Sequence, residues 1–242
     1  MYENFGEQLT MDDMARTALF SKFHFSRVFR QVTGISPGRF LSAVRLQAAK
    51  RLLISTSLTV AEISNRVGYT SVGTFSTRFK NSVGVAPTLY RQNGGYRSLI
   101  PTDTRRDGWG SRSVTLKGEV LAPPDHEAGR VFVGLFPEAI PQGAPVRCSV
   151  LEGPGPYELP DVPQGTWYVL VHSVPPDGDA VIPDPTVADP VPWVGSRGPL
   201  AVGADTDVPP VTVPLRPMRV TDPPLLLALL DPRMTPVTAT GS

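Results

Sequence analysis

The stretch SKFHFSRVFRQVTGISP at residues 21–37 returns fifty residues later as SVGTFSTRFKNSVGVAP at residues 71–87. Phe25-Ser26 corresponds to Phe75-Ser76, Phe29-Arg30 to Phe79-Lys80, and Ser21 to Ser71. Gly34-Ile35-Ser36-Pro37 corresponds to Gly84-Val85-Ala86-Pro87. So many matches at one offset mark an internal repeat, and each copy predicts a helix, a tight turn and a second helix.

In the first copy Thr10-x-x-Asp13 is a capping-box-like start, with Asp where Glu or Gln is usual. Met11, Met14 and Ala15 give a short apolar face. The chain is expected to turn at about Ala18 to Phe20. Ser21 then caps a helix that buries Phe25, Val28 and Phe29, and Gly34 ends it in the left-handed conformation. In the second copy Thr59-x-x-Glu62 is a full capping box, followed by apolar Ile63 and Val67. Gly68-Tyr69 turns the chain, Ser71 caps the next helix, Phe75 and Phe79 point inward, and Gly84 closes it. A long helix joins the copies. Ser36 is its N-cap and Pro37 its first residue, where a missing N–H costs nothing. Phe40, Leu41, Val44, Leu46, Ala48, Leu52 and Leu53 carry it to about Ile54, so it sets the distance between the two units.

Charge separates this part from the rest. Residues 1–97 hold 13 Lys/Arg and 5 Asp/Glu, a net +8; residues 98–242 hold 10 and 17, a net −7. Of the 27 prolines, only Pro37 and Pro87 precede residue 98. Two domains of different class follow, one basic and helical, one acidic and β. A surplus of +8 suits a polyanion. No run approaches the ~20 apolar residues of a membrane span, Leu225 to Leu230 being far too short. Met1 to Asn4 carries no signal sequence, and the single cysteine, Cys148, excludes an internal disulfide. These features point to a reducing cytoplasm.

Residues 9–91 resemble the DNA-binding domain of the AraC-type transcription regulators. The resemblance runs from Leu9-Thr10-x-x-x-Met14-Ala15 through Phe25-Ser26-Arg27-x-Phe29 to Gly34-Ile35-Ser36-Pro37. It continues with Ala61-Glu62-Ile63-Ser64-x-x-Val67-Gly68-Tyr69, Phe75-x-x-x-Phe79-Lys80 and Gly84-x-x-Pro87-x-x-Tyr90-Arg91. It implies a double helix-turn-helix whose linker helix holds two recognition helices on one side. Each enters a separate major-groove segment, about 34 Å apart along one DNA stretch. Two departures stand out. The family's longer helix before Leu9 has only Met1 to Gln8 available here, which implies a short helix or a late start and a weakened core. The family also more often places this domain at the C-terminus, behind a sensor.

Base edges are read by the N-terminal part of a recognition helix, and phosphates by flanking basic and small polar groups. The first unit offers Ser21, Lys22, Phe23, Ser26, Arg27 and Arg30, with Arg27 expected on guanine and Phe23 against thymine methyls. The second offers Ser71, Val72, Gly73, Ser76, Thr77, Arg78 and Lys80, with no long polar side chain at its start. The first unit is therefore expected to discriminate sequence and the second to anchor. His24 reads as packing or phosphate-bonding, and the Phe25/Phe29 and Phe75/Phe79 spacings as core.

Residues 98–113, with Pro101, Arg105, Arg106, Gly108 and Gly110, read as a linker. Short apolar runs follow at Val114–Leu121, Arg130–Phe136, Val146–Leu151, Pro156–Leu159, Thr166–Ser173 and Val208–Leu215. Regular short strands with turn signals predict a β-sandwich over 114–232. Gly118-Glu119-Val120 and the piece from Gly155 to Tyr168 resemble prealbumin-like or carboxypeptidase-regulatory-like modules. Residues 176–207 are expected as loops, Asp222 to Leu230 as a strand or helix docking on the sandwich, and 233–242 as a frayed tail. The fold class is thus α and β in separate domains, an all-α double helix-turn-helix domain at 1–97 followed by an all-β sandwich.

No catalytic constellation is seen in this half, where His126 and His172 are the only histidines. Some AraC-type domains are fused to DNA-repair alkyl acceptors, but Cys148 lacks the Pro-Cys-His context. Asp177, Asp179, Asp184 and Asp189 read as a solvated acidic loop, not a metal site, and no cofactor is expected. Trp167 reads as core; with Trp193 it is a weak candidate for ligand binding. The expected function is a DNA-binding transcription regulator, not an enzyme, whose β domain senses a small-molecule effector. Alternatives make that domain a dimerisation or protein-interaction module, or a carbohydrate-binding one. Expected partners are double-stranded DNA, an effector, a second copy of the chain and, for an activator, RNA polymerase, with no membrane. The acidic half is also a candidate to fold back and compete with DNA.

Overall fold

The computed structural model describes residues 1–97, 114–124, 129–173, 192–203 and 208–230. Six helices open the chain: α1 (Met11–Thr17), α2 (Lys22–Thr33), α3 (Pro37–Ser55), α4 (Val60–Arg66), α5 (Val72–Val83) and α6 (Pro87–Gln92). Their ends follow local chemistry. Thr10 accepts from the Asp13 backbone N–H while the Asp13 carboxylate accepts from Thr10, and Thr59 and Glu62 repeat the arrangement. Those hydrogen bonds hold both carboxyls below the usual range. Pro37 and Pro87 open α3 and α6. Gly34 and Gly84, at φ of 79° and 91°, stop α2 and α5 where a side chain would be strained.

The segment before α1 is built of turns, not a helix. It is nonetheless anchored. The Arg45 guanidinium donates to the carbonyls of Phe5 and Glu7, and Tyr2 meets the Phe40 ring edge-on at 6.0 Å. The two units are packed unequally. In the second, Phe75 and Phe79 are fully buried in the main helical core. In the first, Met14, Ala15 and Phe25 form a small separate cluster, and Val28 and Phe29 are only half-buried. The expectation that α2 buries all three of its apolar residues is corrected on that point.

The second half carries strands in two sheets. The smaller is ordered β5-β2-β8, from β2 (Val114–Leu121), β5 (Pro156–Val162) and β8 (Val211–Pro214). The larger is ordered β4-β3-β6-β7-β9, from β3 (Val131–Phe136), β4 (Arg147–Leu151), β6 (Gly165–Ser173), β7 (Trp193–Val202) and β9 (Arg216–Pro217). Leu116, Val120, Leu159 and Val213 of the first meet Val131, Val133, Leu135 and Val169 of the second in one core. Trp167 fills it, its Nε1 donating to the Pro163 carbonyl at 2.8 Å.

Two expectations are corrected here. Part of 176–207, expected as loop, is strand β7. It contains Gly195, Gly198 and Pro199 and buries few side chains, so no alternating pattern marks it; its register with β6 holds it. Residues 222–230 are neither a docked helix nor a strand of the sandwich. Leu225 to Ala228, with a bend at Leu227, runs between the two halves. Leu225 and Leu227 pack on Phe136 and Leu170 of the larger sheet, whereas Leu226 and Ala228 join the helical core. Only β10 (Leu229–Leu230) is strand, and it pairs in parallel with β1 (Tyr96–Arg97) at the end of the helical part. The expected linker at 98–113, the tail at 233–242, His126 and the four loop aspartates lie outside the described residues.

The junction is held by Lys50, fully buried on α3. Its Nζ donates to the carbonyls of Leu225 and Leu227, at 3.0 and 3.1 Å, and lies 5.8 Å from the Tyr90 ring centre. Burial pushes its pKa down to about 7. Nearby His172, also buried, is pushed down to about 4 by burial and then by Lys50. The neutral amine keeps two N–H groups, one for each carbonyl, so losing the proton keeps both bonds. Between about pH 7 and 10.5 the unfolded chain holds a proton that the folded chain has lost, so stability rises with pH across that window. The slope is at most about 1.4 kcal/mol per pH unit, and it vanishes below the folded pKa. Melting temperatures across pH 6 to 10 should show this rise in the native chain and not in Lys50→Met. Parallel curves for the two would contradict it.

Candidate nucleic-acid interface

The repeat places matching surfaces at the starts of α2 and α5. Ser21 accepts from the His24 N–H at 3.4 Å, and Ser71 from the Thr74 N–H at 3.3 Å. From each cap onward the burial order is the same. Four exposed residues lead, then a buried Phe (Phe25, Phe75), then a half-buried Ser (Ser26, Ser76), then an exposed residue (Arg27, Thr77). Lys22, Phe23, Arg27 and Arg30 are exposed on α2, as are Val72, Gly73, Thr77, Arg78 and Lys80 on α5. Phe23 is 91% exposed, which is unusual for so large an apolar ring. Leu19, also 91% exposed, lies in the turn before α2 at φ 57°.

Three contacts on this surface add to the reading from sequence. Asp12 pairs with Lys22 across the turn at 2.6 Å, both side chains about half exposed. His24 turns its ring edge to Phe20 at 4.6 Å, and its Nδ1 lies 3.2 Å from Nη2 of Arg27. With the ring proton on Nε2, Nδ1 accepts from Arg27 and fixes the direction of the guanidinium. The signal was the i, i+3 spacing of His24 and Arg27 on one helix.

The opposite ends of α2 and α5 meet the β half. The segment joining β3 to β4 reaches both units. Glu138 pairs with Arg39 at the start of α3, and a Cβ placed on Gly34 would lie 3.1 Å from that of Ala139. Ile140 is buried in the helical core, and the Gly143 N–H donates to the Ser82 carbonyl at 2.7 Å. The acidic half therefore docks on the basic one, but among the described residues its contacts lie away from the helix starts.

Trp167, a weak ligand candidate, is 1% exposed inside the inter-sheet core and has no face to offer, so it is corrected to structure. Trp193 opens β7, not a loop, and is half-buried against the same core. Among the described residues no three His, Cys, Asp or Glu side chains cluster to hold a metal, and no helix is long and apolar enough to cross a membrane. Burial pushes the Cys148 thiol pKa up, which works against nucleophilic use.

Residues 14–93 match the profile described as a helix-turn-helix domain. The chain is 34% identical over 98 residues to the HTH-type transcriptional activator AarP of Providencia stuartii, covering 40% of this chain and 73% of that protein. The chain belongs to the AraC-type helix-turn-helix transcription regulators. It is also 34% identical over 90 residues to the bifunctional transcriptional activator/DNA repair enzyme AdaA of Bacillus subtilis, covering 37% of this chain and 43% of that one. A solved transcriptional regulator from Chromobacterium violaceum, described with AraC-type DNA-binding domain-containing proteins, is 30% identical. It covers 39% of this chain and 84% of its own, with a TM-score of 0.38. The profile covers about a third of this AraC-type chain and ends at residue 93, and the two curated relatives match 40% and 37% of it.

Because Ile140 completes the helical core from the β half, Ile140→Ala should cost about 2–5 kcal/mol. Far-ultraviolet helix signal and tryptophan fluorescence should shift together to lower denaturant. A shift in fluorescence alone would show that the helical part does not depend on this side chain.

Proposed function

We propose that this chain is a sequence-specific transcription regulator that places α2 and α5 in successive major-groove segments of one DNA stretch. The observation that carries this reading is the same exposed order of residues at both capped helix starts, on a region of net charge +8. Arg27, steadied by His24, is the reader of a guanine edge, and Phe23 covers thymine methyls. Val72 and Thr77 do the same more weakly under α5. Ser21, Lys22, Ser26, Arg30, Ser71, Gly73, Ser76, Arg78 and Lys80 serve the sugar-phosphate backbone. Discrimination thus falls mainly to the first unit.

The DNA-binding domain spans 1–97, and the two sheets that share a core form a β-sandwich within 114–217. Strand β5 and the start of β6, within Gly155 to Tyr168, pass from the smaller sheet to the larger through Pro163 and Gln164, and this piece carries the likeness to prealbumin-like modules. That sandwich modulates the DNA-binding half through the segments at 138–143 and 225–230, which touch both helix-turn-helix units and α3. It does so in response to a small-molecule effector, since only a difference in affinity between states can shift the equilibrium. As AarP is named an activator, RNA polymerase is the partner to test, in the cytoplasm.

Selection of bound sequences by the full chain should return stricter bases under α2 than under α5. Arg27→Ala should lose about 1–3 kcal/mol of discrimination at one guanine. Lys80→Ala should weaken all sequences alike and lower the salt slope by about one. Asp12→Asn, which frees Lys22 and removes a negative charge, should strengthen binding at low salt and steepen that slope. Stricter bases under α5 would overturn the division of labour.

A further inference from the structure

The larger sheet has a second apolar face, turned away from the inter-sheet core. Register sets it out in two rows. Val150, Phe132, His172 and Val194 lie side by side across β4, β3, β6 and β7. Cys148, Gly134, Leu170 and Ser196 form the next row. Over these rows lie the last turn of α2, Gln31 to Gly34, and parts of the segment from Met218 to Leu227. They do not close on the sheet. A cavity of about 410 Å³ remains between them, within the range of small-molecule sites.

The walls are mostly hydrocarbon; Gln31, Tyr168 and Ser196 are exposed or half-buried polar members, and His172 is a buried one. His172 is 6% exposed, and its Nδ1 has no hydrogen-bond partner among the described residues. Leaving such an atom unpaired is unfavourable, and a ligand group that pairs with it removes that penalty. Burial and the nearby Lys50 hold the imidazole neutral at pH 7. The charged groups at the edge are already engaged. Arg216 makes a two-pronged pair with Asp222, at 2.6 Å on each side, and Arg197 donates to the Thr212 carbonyl. Both of these guanidiniums thus have partners, and the hydrocarbon majority of the walls disfavours a ligand with many hydroxyls.

We propose that this cavity binds a neutral, largely hydrocarbon compound bearing one hydroxyl, which donates a hydrogen bond to Nδ1 of His172. That its occupant is the effector of a DNA-binding regulator rests on the reading given above. The connection is physical: Gln31 to Gly34 end the helix that carries Arg27, and Leu225 and Leu227 are the residues whose carbonyls Lys50 holds.

The full chain is titrated by calorimetry, without DNA, with 2-naphthol, naphthalene and 2-naphthoate. 2-Naphthol should bind saturably, roughly fivefold tighter than naphthalene, as one added hydrogen bond predicts, and tighter than 2-naphthoate. Saturating 2-naphthol should also slow alkylation of Cys148, the only cysteine in the chain, by iodoacetamide. His172→Leu should abolish the advantage of 2-naphthol over naphthalene while both still protect Cys148. Absence of saturable binding, unprotected Cys148, a preference for 2-naphthoate, or an advantage that survives His172→Leu each overturns the proposal. These titrations need no DNA and the DNA titrations need no 2-naphthol, so failure of the site and failure of the DNA-binding reading give different results.

Discussion

A fully buried amine is the constraint around which the two halves of this molecule are arranged. Lys50 sits on α3 between Leu46 and Leu53, both fully buried. In that place it must find acceptors from outside the helix, because the carbonyls of α3 are already used. The carbonyls of Leu225 and Leu227 supply them. Carbonyls two residues apart can face one amine when successive side chains alternate between opposite sides of the segment. Leu226 and Ala228 then complete the helical core while Leu225 and Leu227 lie on the sheet. One polar requirement thus fixes the conformation of a segment that belongs to both cores.

The consequence for the DNA-facing side is that the two helix-turn-helix units do not depend on α3 alone for their spacing. Ile140 and the Gly143 N–H, together with the Glu138 pair to Arg39, tie the ends of α2, α3 and α5 to one short segment. The tie matters most for the first unit. Its own cluster is small, and Val28 and Phe29 are only half-buried. The unit proposed to read bases is therefore the one with less packing of its own. A modest change at its C-terminal end has less internal resistance to overcome than it would in the second unit.

What the sequence made legible was whatever local chemistry decides. The capping pairs, the prolines at helix starts and the stop glycines all act within a turn, so the helices of the repeat were readable almost to the residue. Strands with a buried alternate face, such as Val114–Leu121, were readable for the same reason. Strand β7 was not, because glycines and a proline interrupt it and its order comes from β6. The exposed sides of α2 and α5 were legible from the repeat, but the pairing of Lys22 with Asp12 was not, since it joins different helices. Lys50 left a signal that went unused: a charged residue on the apolar stripe of α3, in line with Leu46 and Leu53. Its partners lie 175 and 177 residues away, and no periodicity connects positions so distant.

The charge split also takes a different meaning in three dimensions. Net charges of +8 and −7 on adjoining parts attract at long range, and an acidic half lying over the DNA side would be the simplest way to satisfy them. The contact is instead made largely by apolar side chains, Ile140, Leu226 and Ala228, with Arg39 and Glu138 as an ion pair at its edge. Hydrophobic burial is short-ranged and shape-specific, so it decides which surfaces meet once the halves are close. The basic residues at the helix starts are left facing solvent, where a phosphate backbone offers denser negative charge than the acidic half does. Attraction between the halves can therefore favour their assembly without occupying the surface proposed for DNA.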